Sequence, residues 1–292
     1  MHGRRPRLTG LLAAVATLPV LLTAGAGPAF ASTWPDRFEQ PLQIDNPLFP
    51  LRPGTQFIYD GTVTDAEGTH AHRIIFTVTD LVKRVDGVDS RVIWDQDIND
   101  GELSEAELSF FAQDRNSNVL TMGEYPEEYE NGRFVGAPNT WISGRARAQA
   151  GILVPGHPRL GMRFVQGRAP VVDFFDVGVV RQLHAKACAA SRCYPDTTLI
   201  EESAPGAPEE GSQLKFYAAG VGLVRIGAVG GAAREVMTLT RVRHLGDAEL
   251  AQARAAARKL ERRAYRVSAP YRQTAPMRRA AEVDDEPYLK PT

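Results

Sequence analysis

From Thr55 to about Val242 apolar and polar residues alternate instead of recurring every three or four positions. Alternation is the strand pattern, because successive side chains leave an extended backbone on opposite sides. In His72–Thr79, Ile74, Phe76 and Val78 share one face, and in Arg91–Ile98 the matching set is Val92, Trp94 and Ile98. Ala106, Leu108 and Phe110 line up between Glu105, Glu107 and Ser109. Leu214 and Phe216 alternate with Gln213, Lys215 and Tyr217, and Val236, Thr238, Thr240 and Val242 alternate with Met237, Leu239 and Arg241. Turn signals at Glu67-Gly68, Asp86-Gly87, Asp100-Gly101, Asn116-Ser117-Asn118 and Asn131-Gly132 break these runs at roughly 14 to 19 residue intervals. Immunoglobulin-type sandwiches turn about every 8–12 residues. Longer strands curl, so the pattern predicts a mainly β fold. It is an antiparallel meander of about nine to eleven strands forming a closed or half-open barrel.

The flanks read differently. Pro47, Pro50 and Pro53 forbid helix in the run Asp45–Gly54. Segment 138–170 is rich in Gly, Pro and Arg and predicts a long crossing loop over one mouth, with a short helix around Gly144–Gly151. After Asp247, a good N-cap, the alanine-rich stretch predicts a C-terminal α-helix over 246–267. Its apolar stripe is Leu250, Ala253, Ala257, Leu260 and Ala264, and residues 247–266 carry six basic and three acidic side chains. Docking of this helix on the barrel is the preferred reading. The other is a contact with an anionic envelope surface. Residues 268–292 read as a disordered tail.

The first residues are an address. A basic start (Arg4, Arg5, Arg7), an apolar run from Leu11 to Ala24 and small residues at Ala29 and Ala31 make a secretory signal over 1–31, cleaved after Ala31. The apolar run is shorter than the roughly 20 residues that span a bilayer. An extended lead-in over 32–43 precedes the barrel domain at 44–245. The expected location is extracytoplasmic, periplasmic or secreted. Loss of the leader removes three arginines and no acid, moving the formal charge from −1 to −4. No basic footprint for nucleic acid is present. With 43% apolar and 24% charged residues, the chain is globular and not disordered. Its two cysteines, Cys188 and Cys193, predict a small-loop disulfide in an oxidising compartment.

Three separated motifs resemble one family. They are Asp45-Asn46-Pro47-Leu48-Phe49-Pro50-Leu51-Arg52-Pro53-Gly54-Thr55 with Tyr59-Asp60-Gly61; Phe111-Ala112-Gln113-Asp114 with Asn118-Val119 and Gly123-Glu124; and Phe216-Tyr217-Ala218-Ala219-Gly220-Val221-Gly222-Leu223-Val224. Together, over residues 44–243, they resemble a family of uncharacterised bacterial secreted proteins. The resemblance implies secretion and no activity. Ala219 stands where the family has proline, Ser117 where it has glycine, and Ser90 where many relatives carry cysteine. On the residues alone, Gly220 and Gly222 suit a tight turn and a close backbone approach, not a phosphate loop.

Candidate chemistry is sparse. Asp95-Gln96-Asp97-Ile98-Asn99-Asp100-Gly101 has calcium-ligand residues, but Gly is one place late for the usual loop, so a hairpin with an acidic turn is expected. His70 and His72 share a strand face, yet a hairpin tip in solvent is the plainer reading, and no metal is expected. In Val171–Gly178 one aspartate must share a face with phenylalanine and valine. Asp173 is taken as the polar handle of a cavity lined by Ile74, Phe76, Trp94, Phe110, Phe175 and Phe216. These residues point to a non-enzymatic carrier for an apolar or amphiphilic small molecule, with no cofactor. Two other readings are kept, an envelope accessory protein working through its surface and a carboxylate-based hydrolase or isomerase. Convergent buried acids would favour the enzyme.

Overall fold

Asp86, Asp100 and Asn131 take left-handed backbone (φ +48°, +49° and +51°), and each precedes a glycine that does the same. Such turns match the twist of paired strands, so the chain folds back hairpin by hairpin. The computed structural model describes residues 34–190 and 192–280; the leader and its cleavage point lie outside them. In chain order the strands are β1 (Thr55–Thr64), β2 (Thr69–Val85), β3 (Val88–Asn99), β4 (Glu102–Gln113), β5 (Val119–Glu130), β6 (Arg133–Gly136), β7 (Trp141–Ile142) and β8 (Gln149–Val154). They continue as β9 (Arg163–Ala169), β10 (Phe174–Ala189), β11 (Arg192–Ser203), β12 (Ser212–Ala218), β13 (Gly222–Val229), β14 (Arg234–His244) and β15 (Arg278–Arg279). The α-helix α1 spans Asp247–Val267.

Each main strand pairs antiparallel with the next. β5 passes on to β8, and β1 pairs with both β2 and β14, closing a ring of twelve strands. β6 and β7 also hang on β5. The predicted barrel is therefore present and closed, with more strands than expected. Segment 138–170 is not a crossing loop with a helix, because it supplies β7, β8 and β9. Its glycines serve close strand packing: a Cβ on Gly151 would lie 2.4 Å from the β9 backbone.

The plug comes instead from residues 44–54. Asn46 donates to the carbonyls of Ser117 (2.7 Å) and Pro155 (3.3 Å), and its Oδ1 accepts from Leu48 N. Gln113 Oε1 accepts from Asp45 N and Asn46 N, while Gly220 N donates to Pro47 O (2.7 Å). The three motifs thus meet at one end of the barrel. Gly220 and Gly222 turn β12 into β13 with φ +75° and +110°, and the backbone that Gly222 approaches is that of the plug, at Leu48. The lead-in is not wholly extended, since Trp34–Arg37 forms a 3-10 turn.

Two cores result. The inner one fills the plugged half of the lumen with Phe49, Leu51, Phe57, Tyr59, Phe111 and Tyr217. The outer one lies where α1 covers β2–β5, joining Leu81, Val92, Leu108 and Phe110 to Ala257, Leu260 and Ala264. The helix is capped at Gly246, whose N–H donates to Glu249, so Asp247 sits in the first turn and is not the cap. Buried Lys83 pairs with Glu261 (3.0 Å), and Arg254 and Arg263 bind Asp80 and Glu127. The helix is docked; Lys259, Arg262 and Arg266 remain exposed. Residues 268–280 are no loose tail. Tyr271 and Met277 are buried in the outer core, and β15 pairs with β2. The rest of the predicted tail lies outside the described residues.

Candidate functional site: a two-sided barrel cavity

Above the plug lies a cavity of about 210 Å³. Its wall near the plug is apolar: Phe49, Leu51, Phe57, Phe76, Phe111 and Tyr217. Phe49 packs edge-on against Phe76, Phe111 and Tyr217 at 6.0–6.2 Å. Toward the hairpins at Asp100-Gly101 and Gly230-Gly231 the wall becomes acidic, with Asp95, Asp97, Glu105, Glu107, Glu124 and Glu235.

Strand register explains this. Asp95 stands opposite Glu107 and Asp97 opposite Glu105 across β3 and β4, while Ser109 faces Glu124 across β4 and β5. These positions alternate with Ala106, Leu108 and Phe110, which point outward beneath α1. Among the acids, Asp95 accepts from Gln96 N, Glu124 accepts from Trp141 Nε1 (3.0 Å), and Glu235 accepts from Gln213. Trp141 is held by a stack on Phe174 (5.1 Å), and Gly167 makes room for it, since a Cβ there would strike the Phe174 ring.

Lys215 brings an ammonium to the cavity lining. It pairs with Glu202 at 2.5 Å. Burial alone would lower its pKa, but Glu202, Glu235 and Asp176 outweigh burial and hold it above the usual value. His72, buried beside Asp97 (3.6 Å) and Glu235 (3.3 Å), behaves the same way: burial opposes its charge, and the carboxylates prevail.

The acids are raised as well, but in their case burial itself drives the shift. Burial, reinforced by neighbouring carboxylates, pushes Asp95 and Glu107 well above the ordinary range. Burial raises Glu124 against the hydrogen bond from Trp141. Asp176 and Glu235 are each pushed up to about 7, chiefly by burial. Groups of this kind gather at functional sites, although structural networks also produce them.

The predicted lining is only partly collected here. Ile74 and Phe76 line the cavity. Trp94 and Phe110 face the other way, into the outer core, because α1 covers that side of the sheet. Phe216 shares its face of β12 with Leu214, opposite Lys215 and Tyr217, and lies beside Arg225. Phe175 is 37% exposed. Asp173 is exposed in a left-handed turn (φ +54°) before β10 begins, so the lumenal acid of that segment is Asp176. Asp95 and Asp97 are strand residues facing inward, not part of an acidic turn. His70 and His72 have separate partners, with His70 on Asp100 and His72 on Glu235 and Asp97. Sequence reasoning missed Asp95, Glu107 and Glu124 as lumenal groups. The available signal was the alternation of Glu105, Glu107 and Ser109.

Cys188 and Cys193 are directly opposite across β10 and β11 and form the expected disulfide. Among the described residues no three His, Cys, Asp or Glu side chains converge to hold a metal ion, and no helix is long and apolar enough to cross a membrane.

No family model and no curated protein matches the chain. Two solved structures are similar to it. One is a candidate exported protein of Bacteroides fragilis with a YmcC-like fold, at 11% identity and TM-score 0.36, covering 67% of this chain and 98% of that one. The other is a candidate lipoprotein of Parabacteroides distasonis, at 13% identity and TM-score 0.32, with the same coverage of each chain.

Proposed function

We propose that this chain is an extracytoplasmic, non-enzymatic binding or carrier protein for a small amphiphilic molecule. The observation that carries the reading is the two-sided cavity, aromatic at the plugged end and polar toward the hairpins. Small-ligand sites combine an apolar wall with a few placed polar groups in this way. A cavity of about 150 Å³ is enough for benzene. At about 210 Å³ this one suits a ring or short branched chain bearing one polar group. The Cys188–Cys193 disulfide supports an oxidising compartment.

Native mass spectrometry of the protein purified from its own extracytoplasmic fraction tests the reading, followed by solvent extraction of anything bound. A stoichiometric small amphiphile is the expected result. A clean mass, with no uptake of small apolar probes, would overturn it.

The acid wall favours a second reading, a carboxylate-based hydrolase or isomerase. Acids held near 7, as Asp176 and Glu235 are, can both give and take protons under ordinary conditions. Incubation separates the two: the extracted molecule is recovered unchanged from a carrier and converted by an enzyme.

A further inference from the structure

We propose that the cavity selects a small organic cation, an amine on an aromatic or short apolar body, with its ammonium between Asp95, Glu107 and Glu124. This rests on the binding reading above and narrows it to a chemical class.

The charge arrangement is one-sided. Asp95 and Asp97 on β3, Glu105 and Glu107 on β4, and Glu124 on β5 form one continuous acidic wall. Across the lumen, the Lys215 ammonium is already matched by Glu202, with Glu235 and Asp176 also acting on it. A ligand anion would therefore meet a compensated cation and a wall of carboxyls.

Glu107 is the second observation. It is shielded from bulk water and the surface it retains lines the cavity. Among the described residues it has no hydrogen-bond or ion-pair partner, and the charges acting on it most strongly are those of Glu124, Glu105, Asp95 and Asp97. Enclosed polar groups are ordinarily bonded, so a carboxyl with no such partner on the cavity wall is open to a donor from a ligand. An ammonium supplies up to three N–H donors and a counter-charge at once. A metal ion fits less well, because among the described residues no three such side chains come close enough together to ligate one.

The rest of the cavity fits the rest of such a ligand. Tyr59 lies close enough to Asp95 for its hydroxyl to respond to that charge, so aromatic and acidic walls adjoin. An aromatic body would pack on Phe57 and Phe76, and the ring faces attract a nearby cation.

The test is calorimetry on the purified protein with three matched probes: 2-phenylethylamine, 2-phenylethanol and phenylacetate. The amine is expected to bind at least about tenfold more tightly than either partner, a difference of about 1.4 kcal/mol. Its binding should release protons, read from the dependence of the heat on buffer, as a carboxylic acid ionises beside the ammonium. Glu107→Gln should weaken the amine about tenfold and leave the alcohol unchanged, and Asp95→Asn offers the same contrast if the first variant does not fold. An alcohol that binds as well as the amine, or a variant that weakens both equally, overturns the cation assignment and leaves the amphiphile reading standing. No binding of any probe, together with a clean native mass, overturns both.

Discussion

Asp95 and Glu107 stand directly opposite each other across β3 and β4, and both carboxyls point into the lumen. Burial and their neighbours raise both. In the unfolded chain each acid loses its proton near pH 4. The folded state keeps protons at higher pH, so stability falls as pH rises through that window. Asp176 and Glu235, each pushed up to about 7, carry the same effect up to about neutral pH. His72, raised beside Asp97 and Glu235, acts in the same direction, since its stabilising charge is lost as pH rises. Thermal melting followed by circular dichroism should therefore give a higher Tm at pH 5.5 than at pH 8. A flat or opposite profile would contradict the inward placement of these acids.

Glu107→Gln should raise stability at pH 8 and change little at pH 5. Like charges directly opposite in a sheet cost up to about 1 kcal/mol. The amide removes that repulsion where the acids are ionised and gains nothing where they are protonated. Urea unfolding at the two pH values measures the difference.

Lys83 and Glu261 form a buried pair between β2 and α1, with the Lys83 ammonium 4.0 Å from the Tyr271 ring centroid. Burial lowers the Lys83 pKa to about 8 despite Glu261. Glu261→Ala should cost about 3–5 kcal/mol, because it strands a buried cation. It also removes the acceptor for Met277 N. The double variant Lys83→Met with Glu261→Leu should recover most of that loss. Equal losses in the single and double variants would contradict the pairing.

Tyr271 is fully buried against Phe110, Tyr125 and Tyr265, with ring centroids 5.2–6.2 Å apart. Tyr271→Ala should cost about 3–5 kcal/mol, as large aromatic truncations in a core do. Truncation after Val267 should be at least as damaging. A tail that merely trailed in solvent would tolerate both, so a denaturation midpoint unchanged by either would contradict the docked strap.

Cys188 and Cys193 close a loop with a sequence separation of five across a hairpin end. Chain entropy predicts a loss of about 2 kcal/mol on replacing both with serine. The effect should be independent of the lumen, leaving the pH dependence of Tm unchanged.

Much of the fold was legible locally. Alternation and Asp-Gly or Asn-Gly turns marked the strands, because pleat and turn geometry act over neighbouring residues. The alanine-rich run after Gly246 marked the helix for the same reason. Alternation does not say which face is inside. In β4 the pattern suggests Phe110 as a lumenal residue, yet it faces outward with Ala106 and Leu108 under α1, more than a hundred residues away in the chain. Segment 138–170 read as a loop because its glycines look like turns, whereas Gly151 and Gly167 let neighbouring strands and rings approach.

Local pattern is enough for a β meander with a C-terminal helix and for Ile74 and Phe76 on an apolar strand face. It is enough as well for the pairing of Cys188 with Cys193. Long-range packing is what brings the acids of β3, β4 and β5 together inside a closed barrel, with Asp176 rather than Asp173 buried within the field of Glu124 and Lys215. The difference is one of range. Local backbone preferences fix elements, but the side of a strand that becomes interior depends on which surface the plug fills and which the helix covers. Both are contacts between segments far apart in the chain.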